Sequence, residues 1–163
     1  MSRVEPVAAV HTGTARRAVE TADIIAKGFD LDLPVRHDHG LIEYGVGVLE
    51  RSSGSAAGHA SQDVLRRWIV DGDLDAKLPL GGTGGSAIAR FRASMERITE
   101  AHAGGIVLVV THVGAMTVGL VSLCADLSAR RVWGRPLPRG TVVEAGVTAD
   151  EWSCRFRPTE SRN

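Results

Sequence analysis

Aromatic side chains are scarce in this chain: three Trp, three Phe and one Tyr among 163 residues. Its core must therefore rest on Val, Leu, Ile and Ala. Cysteine is almost absent as well. Cys124 and Cys154 alone make neither a disulfide framework nor a metal cluster. The expectation is a cytoplasmic chain with both thiols reduced. Net charge is missing too, because 19 basic residues balance 19 acidic ones. That removes the cationic footprint of a nucleic-acid binder at the level of the whole chain. Long apolar runs are also lacking. The most apolar stretch, residues 106–110, is far too short to span a bilayer. At the start, Met1-Ser2-Arg3-Val4-Glu5-Pro6 puts an acid and a proline where a secretory signal needs apolar residues. No internal repeat or long low-complexity segment is present.

What is there reads as one ordinary domain, 44% hydrophobic and 23% charged. A chain of this length buries roughly 70% of its unfolded surface. Pro6-Val7-Ala8-Ala9-Val10 suits a buried strand, and His11-Thr12-Gly13-Thr14 the turn after it. Ala15, Ala18, Val19, Ala22, Ile25 and Ala26 then mark one apolar face of a helix. Thr12 or Thr14 is placed to cap its start and Gly28 to end it. Residues 31–35 form a short strand interrupted by Pro34. Residues 41–58, rich in Gly and Ser, read as a surface excursion. Helices are expected over 56–70, 86–102 and 115–127, and Gly81-Gly82-Thr83-Gly84-Gly85 as a loop. Ile106-Val107-Leu108-Val109-Val110 is continuously apolar, as a strand buried on both faces should be. Two late strands, 141–147 and 152–156, turn at Ala149-Asp150. Strands alternating with helices give the fold class: a three-layer α/β domain, its sheet mostly parallel with helices on both faces. The domain occupies residues 1–157, and residues 158–163 form a flexible tail.

Ligands of open α/β sheets bind beyond the carboxyl ends of the strands. Two such ends carry polar residues before a helix: Thr12-Gly13-Thr14-Ala15-Arg16-Arg17 and Thr111-His112-Val113-Gly114. Each puts free N–H groups and a partial positive charge at a helix start, which suits an anion. An arginine and a histidine add to that preference. Taken singly, Arg16 and Arg17 also read as solvated helix residues, His112 as a structural hydrogen-bonder and Glu43 as a loop carboxylate. His37-x-His39 lacks a third ligand and reads as a surface loop rather than a metal pair. His59 and His102 read as surface positions on helices.

The order and spacing of these segments resemble the histidine phosphatase superfamily, the phosphoglycerate-mutase-like proteins. His11-Thr12-Gly13-Thr14-Ala15-Arg16-Arg17-Ala18-Val19-Glu20-Thr21-Ala22 is similar to that family's Thr-Ser-x-x-x-Arg-Ala-x-x-Thr-Ala segment. The run from Leu41 through Glu43 and Gly47 to Glu50 is similar to its Leu-x-Glu-x-x-x-Gly-x-x-Glu segment. Pro79-Leu80-Gly81-Gly82-Thr83-Gly84 resembles its Pro-Gly-Gly-Glu-Ser loop, without the Glu and Ser. Val109-Val110-Thr111-His112-Val113-Gly114 resembles its Val-Val-Ser-His-Gly-Gly segment, and Trp152 also has counterparts.

The resemblance implies an α/β enzyme that hydrolyses or transfers phosphoryl groups of a small phosphorylated metabolite. It needs no metal and no organic cofactor, and it engages neither nucleic acid nor membrane. Arg17 and His112 would bind the phosphoryl oxygens, with Thr12 and Val113 beside them, and Glu43 would exchange the proton of the leaving group. Such a role needs burial to raise the pKa of Glu43. The family's nucleophile is a histidine in an Arg-His-Gly triplet on an N-terminal strand, and these 163 residues contain no such triplet. Arg36-His37-Asp38 is only superficially similar, and Gly13, Val113 and Thr83-Gly84 depart from the family's pattern near the pocket. Three expectations follow. One is an enzyme whose nucleophile segment lies upstream. Another is a non-catalytic phosphate-binding or protein-interaction descendant. The third is a chain that does not fold well alone, because a missing N-terminal strand near the sheet's centre leaves the edges of 7–10 and 106–110 open unless a homodimer covers one.

Overall fold

The computed structural model describes residues 6–29, 31–44, 62–77, 81–133, 137–138, 140–149 and 151–157. Strand β1 (Val7–Thr12) leads into helix α1 (Arg16–Gly28), and strand β2 (Val35–His37) follows, with a 3-10 turn at His39–Leu41. Residues 62–71 form helix α2, whose last turn, Arg67–Asp71, is of the π type. Then come helix α3 (Gly84–Ala101), strand β3 (Ile106–Val110), helix α4 (Val113–Leu123), the short helix α5 (Ala129–Trp133), and strands β4 (Val142–Thr148) and β5 (Glu151–Arg157).

The fold is α/β, with a three-stranded parallel sheet in the order β2-β1-β3. Helix α1 packs on this sheet through Ala18, Ala22 and Ala26, the small-residue face that the 3.6-residue period predicts. The other face belongs to α3 and α4. There Val107 and Val109 pack against a core of Phe91, Met95, Ile98, Ala115, Leu120 and Leu123. A second cluster joins Trp68, Ile69 and Ala76 to Val118, and the Trp68 indole donates to the Ala76 carbonyl at 2.7 Å. Helix α3 starts at Thr83, whose hydroxyl accepts the Ser86 N–H at 3.2 Å.

Several expectations need correction. Strand β3 is an edge strand among the described residues rather than one buried on both faces, and Ile106 is 44% exposed. Because β1 and β3 pair directly, the edges of 7–10 and 106–110 expected to be left open toward each other are closed, and β2 pairs with β1 only at Val10–Thr12. The late strands do form an antiparallel hairpin, but as a separate two-stranded sheet. Helix α1 is capped by Ala15 with no side-chain bond, since Thr12 is drawn into β1. Strand β2 begins only after Pro34, which has no N–H to give the ladder. Leu41 is no surface residue: it is 0% exposed and part of the main core. Residues 45–58 of that stretch, 56–61 of the expected helix and the 158–163 tail lie outside the described residues. The two thiols are not reduced but bonded to each other, with Cα atoms 6.0 Å apart. Thirty residues separate them, so nothing in the sequence brings them together. The hairpin does so, because it packs across the end of α4, bridging Cys124 to Trp152.

One carboxylate fastens the β2 end to α3. Asp38 accepts from the Gly40 N–H at 2.7 Å, the Ser94 hydroxyl at 2.8 Å and Arg97 at 3.1 Å. Burial pushes its pKa up, but these donors outweigh burial and hold it below its ordinary value. Asp38→Ala leaves the Gly40 N–H and the Ser94 O–H without an acceptor. It is expected to cost about 1–3 kcal/mol in a urea melt, and an unchanged midpoint would show that the turn is held by packing alone.

Candidate active site

His112 closes β3 and caps the start of α4. It is 8% exposed, and its Nε2 has no hydrogen-bond partner. Burial, and then the nearby Arg17 guanidinium, push its pKa below the ordinary value, so the imidazole is neutral at pH 7. Glu43 is seated on the same helix start. Its Oε2 accepts the Gly114 N–H at 3.1 Å and its Oε1 the Tyr44 N–H at 3.1 Å, while the Ala115 N–H also bonds the carboxylate. Burial raises the Glu43 pKa; the three N–H donors and Arg17 oppose that rise, and burial wins. The helix-start charge expected to attract a free anion at α4 is thus already engaged by Glu43.

Four elements hold this carboxylate in place. The Thr111 hydroxyl donates to the Leu41 carbonyl at 2.7 Å. Arg90 of α3 donates to the carbonyls of Ile42 at 3.1 Å and Glu43 at 3.3 Å. Tyr44 stands edge-on to Trp68, ring centroids 5.2 Å apart, and burial pushes its phenol to about 12. Gly114 supplies the necessary gap: a Cβ there would lie 2.6 Å from Glu43 Oε1 and enter the Tyr44 ring. Gly13 has a similar reason. Its N–H donates to the Val110 carbonyl at 3.2 Å, and a Cβ would meet the Leu41 oxygen at 2.8 Å. The glycine that departs from the family's serine is therefore what lets the Leu41 backbone approach.

Arg17, Glu43, His112 and Val113 line one cavity of about 1220 Å³, bounded by α1, α3, β3 and the β4 strand. Thr12 does not line it. That residue is fully buried, with its hydroxyl unpartnered. Of the paired arginines, Arg16 turns outward to Glu20 at 2.7 Å, and Arg17 turns inward. Asp38 of the Arg36-His37-Asp38 triplet is occupied by Gly40, Ser94 and Arg97, and Thr83 caps α3. His102 is not simply a surface residue, because its Nε2 meets that of His11 at 3.4 Å. Among the described residues no three His, Cys, Asp or Glu side chains group as metal ligands, and no helix is long and apolar enough to cross a membrane. Arg90 escaped the sequence reading. On α3 it has the pattern of a solvated helix residue, and only the tertiary packing against residues 42 and 43 reveals it.

The sequence matches the family profile of the histidine phosphatase superfamily (branch 1) over residues 1–157. No curated protein matches. Solved structures share the fold. YhfR of Bacillus stearothermophilus superposes with a TM-score of 0.74 at 23% identity, covering 95% of this chain and 75% of its own. A mycobacterial glucosyl-3-phosphoglycerate phosphatase in complex with inorganic phosphate gives 0.67 at 20% identity, over 93% and 76%. The alpha-ribazole phosphatase of Shigella flexneri gives 0.67 at 19% identity, over 91% and 71%.

The shifted groups set a pH dependence. His112 and His11 are both held below their ordinary value, about 6.5, chiefly by burial. The unfolded chain therefore takes up protons that the fold refuses, and stability falls as pH drops from about 6.5 through the lowered folded values. Glu43 has the opposite sign. Its contribution is intact below about 4.3 and is lost as pH rises through its raised folded value. His112→Asn is expected to flatten the loss of stability between about pH 6.5 and 5, measured by urea unfolding at several pH values. An unaltered slope would mean that His112 titrates normally.

Proposed function

This chain belongs to the histidine phosphatase superfamily, and from that premise we propose that it binds the phosphoryl group of a small phosphorylated metabolite and hydrolyses or transfers it. The observation that carries the reading is a buried, neutral imidazole with a free Nε2, placed in one cavity with a guanidinium and a carboxyl of raised pKa. Arg17 grips phosphoryl oxygens as a planar fork. His112, whose Nε2 has no protein partner, bonds another oxygen, and the Val113 N–H in the first turn of α4 adds a backbone donor. Glu43, protonated more readily than an ordinary carboxyl, gives its proton to the departing alkoxide. Thr12, fully buried and outside the cavity lining, takes no direct part in this reading.

The covalent step through a phosphohistidine is assigned to no residue here, since the sequence holds no Arg-His-Gly triplet. The Glu43 carboxylate resting on the α4 start favours a second reading: a phosphate-binding descendant without turnover. The two readings share Arg17 and His112 and differ in catalysis.

Titration with inorganic phosphate and hydrolysis of p-nitrophenyl phosphate separate them. Arg17→Ala is expected to weaken phosphate binding about tenfold or more, as loss of a bond to a charged group costs about 1.5–3 kcal/mol. If the chain turns over, His112→Ala abolishes hydrolysis and Glu43→Gln lowers kcat. Binding without hydrolysis selects the second reading, and no phosphate binding at all overturns both.

A further inference from the structure

Two imidazoles that the phosphate chemistry does not use meet at the far end of α3. His11 stands on β1 in register with Val109 of β3, whose side chain packs on the core of α3 and α4, so His11 points to that same face of the sheet. His102 is the residue that ends α3. They lie 91 residues apart in sequence, yet their Nε2 atoms are 3.4 Å apart, with ring centroids at 5.5 Å and ring planes at 71°. Both side chains are half-buried, so the meeting point stays open to solvent.

As a hydrogen bond this contact is poor. At 3.4 Å it is longer than an ordinary N–H bond of about 2.9–3.0 Å. One ring must also carry its proton on Nε2 to make it. With the proton of each ring on Nδ1, two lone pairs face each other and call for a cation. The spacing fits one: two nitrogens bound to a tetrahedral zinc ion at roughly 2.0–2.1 Å stand about 3.3–3.4 Å apart. The end of α3 adds to the attraction. This helix of 18 residues has no basic residue in its last turn to offset the partial negative charge of its final carbonyls. The charged side chains that act on His11 are Arg36 of β2 and Asp38 just after it, and their signs oppose each other.

We propose that the Nε2 atoms of His11 and His102 together bind one divalent transition-metal ion, zinc by the geometry, with water completing its shell. Two protein ligands make an exchangeable site, not a structural centre of four. The ion ties β1 to the end of α3. Metal binding needs neutral imidazoles, and burial, then His102 and Arg36, hold His11 below its ordinary value and so neutral at about pH 7. The site does not rest on the phosphate reading and stands without it.

The test titrates the full chain, free of any affinity tag, with zinc chloride by calorimetry at about pH 7. One ion per chain is expected. In nitrogen-15 NMR of the unaltered protein, the Nε2 signals of His11 and His102 are expected to move together on zinc addition. Zinc is also expected to raise the urea midpoint, because the unfolded chain holds the two rings apart. His102→Asn, at a half-exposed helix end, is expected to weaken binding about tenfold or more, since even outer-shell partners of a metal cost that much when lost. His11→Asn is expected to do the same. Replacing both His37 and His39 by Asn is expected to leave the affinity unchanged. No saturable binding at millimolar zinc, unmoved His11 and His102 signals, full affinity in His102→Asn, or loss of binding in the variant at 37 and 39 overturns the proposal.

Discussion

The Glu43 carboxylate rests on the first turn of α4, and the candidate site is arranged around that contact. The seat is electrostatically divided. Three backbone N–H groups and the helix start favour the ionised form, whereas burial disfavours it, and burial prevails. A carboxyl in that state holds a proton more readily than one in water. The seat exists only because neighbouring residues leave room and hold the backbone. Gly114 has no Cβ to fill the space taken by Glu43 and Tyr44. Thr111 and Arg90 fix the carbonyls of residues 41–43, and Asp38 ties the preceding turn to α3. Arg90 and Ser94 tie these residues to α3, Gly114 ties Glu43 to α4, and Thr111 ties Leu41 to the segment just after β3, so the loop inherits the rigidity of its surroundings.

Much of this was readable from the residues themselves. The alanine face of α1 follows from helical period, and the hairpin at 142–157 from its apolar spacing and turn. The convergence of Arg17, His112 and Val113 on one cavity follows from the rule that parallel strands end at ligand sites, whereas Glu43 is pointed to only by the family resemblance. Other features depend on partners distant in sequence. Leu41 sits in a stretch whose glycines and serines mark a loop, yet it is the most buried residue of the core around α3 and α4. Arg90 has the look of a solvated helix position. The Cys124–Cys154 bond depends on where the hairpin packs, which no local pattern encodes. Composition also misplaced β3: an apolar run tells how much burial a strand can use, not which neighbours it has.

The two sheets explain the shape of the cavity. The parallel sheet ends at β3 and the hairpin stands apart from it, held to α4 by Trp152, the disulfide and the core. Between them lies an apolar slot with Arg17, Glu43 and His112 at one end. A polar end built from a cation, a neutral imidazole and a raised carboxyl suits a phosphoryl group.

The most direct measurement is a carbon-13 NMR titration of the Glu43 carboxyl in the free protein and with inorganic phosphate. In the free protein Glu43 is expected to titrate above the ordinary glutamate value of about 4.3. Bound phosphate, an added negative charge nearby, is expected to move it higher still. A Glu43 that titrates at or below the ordinary value, and does not respond to phosphate, would contradict a buried proton donor beside a phosphoryl site.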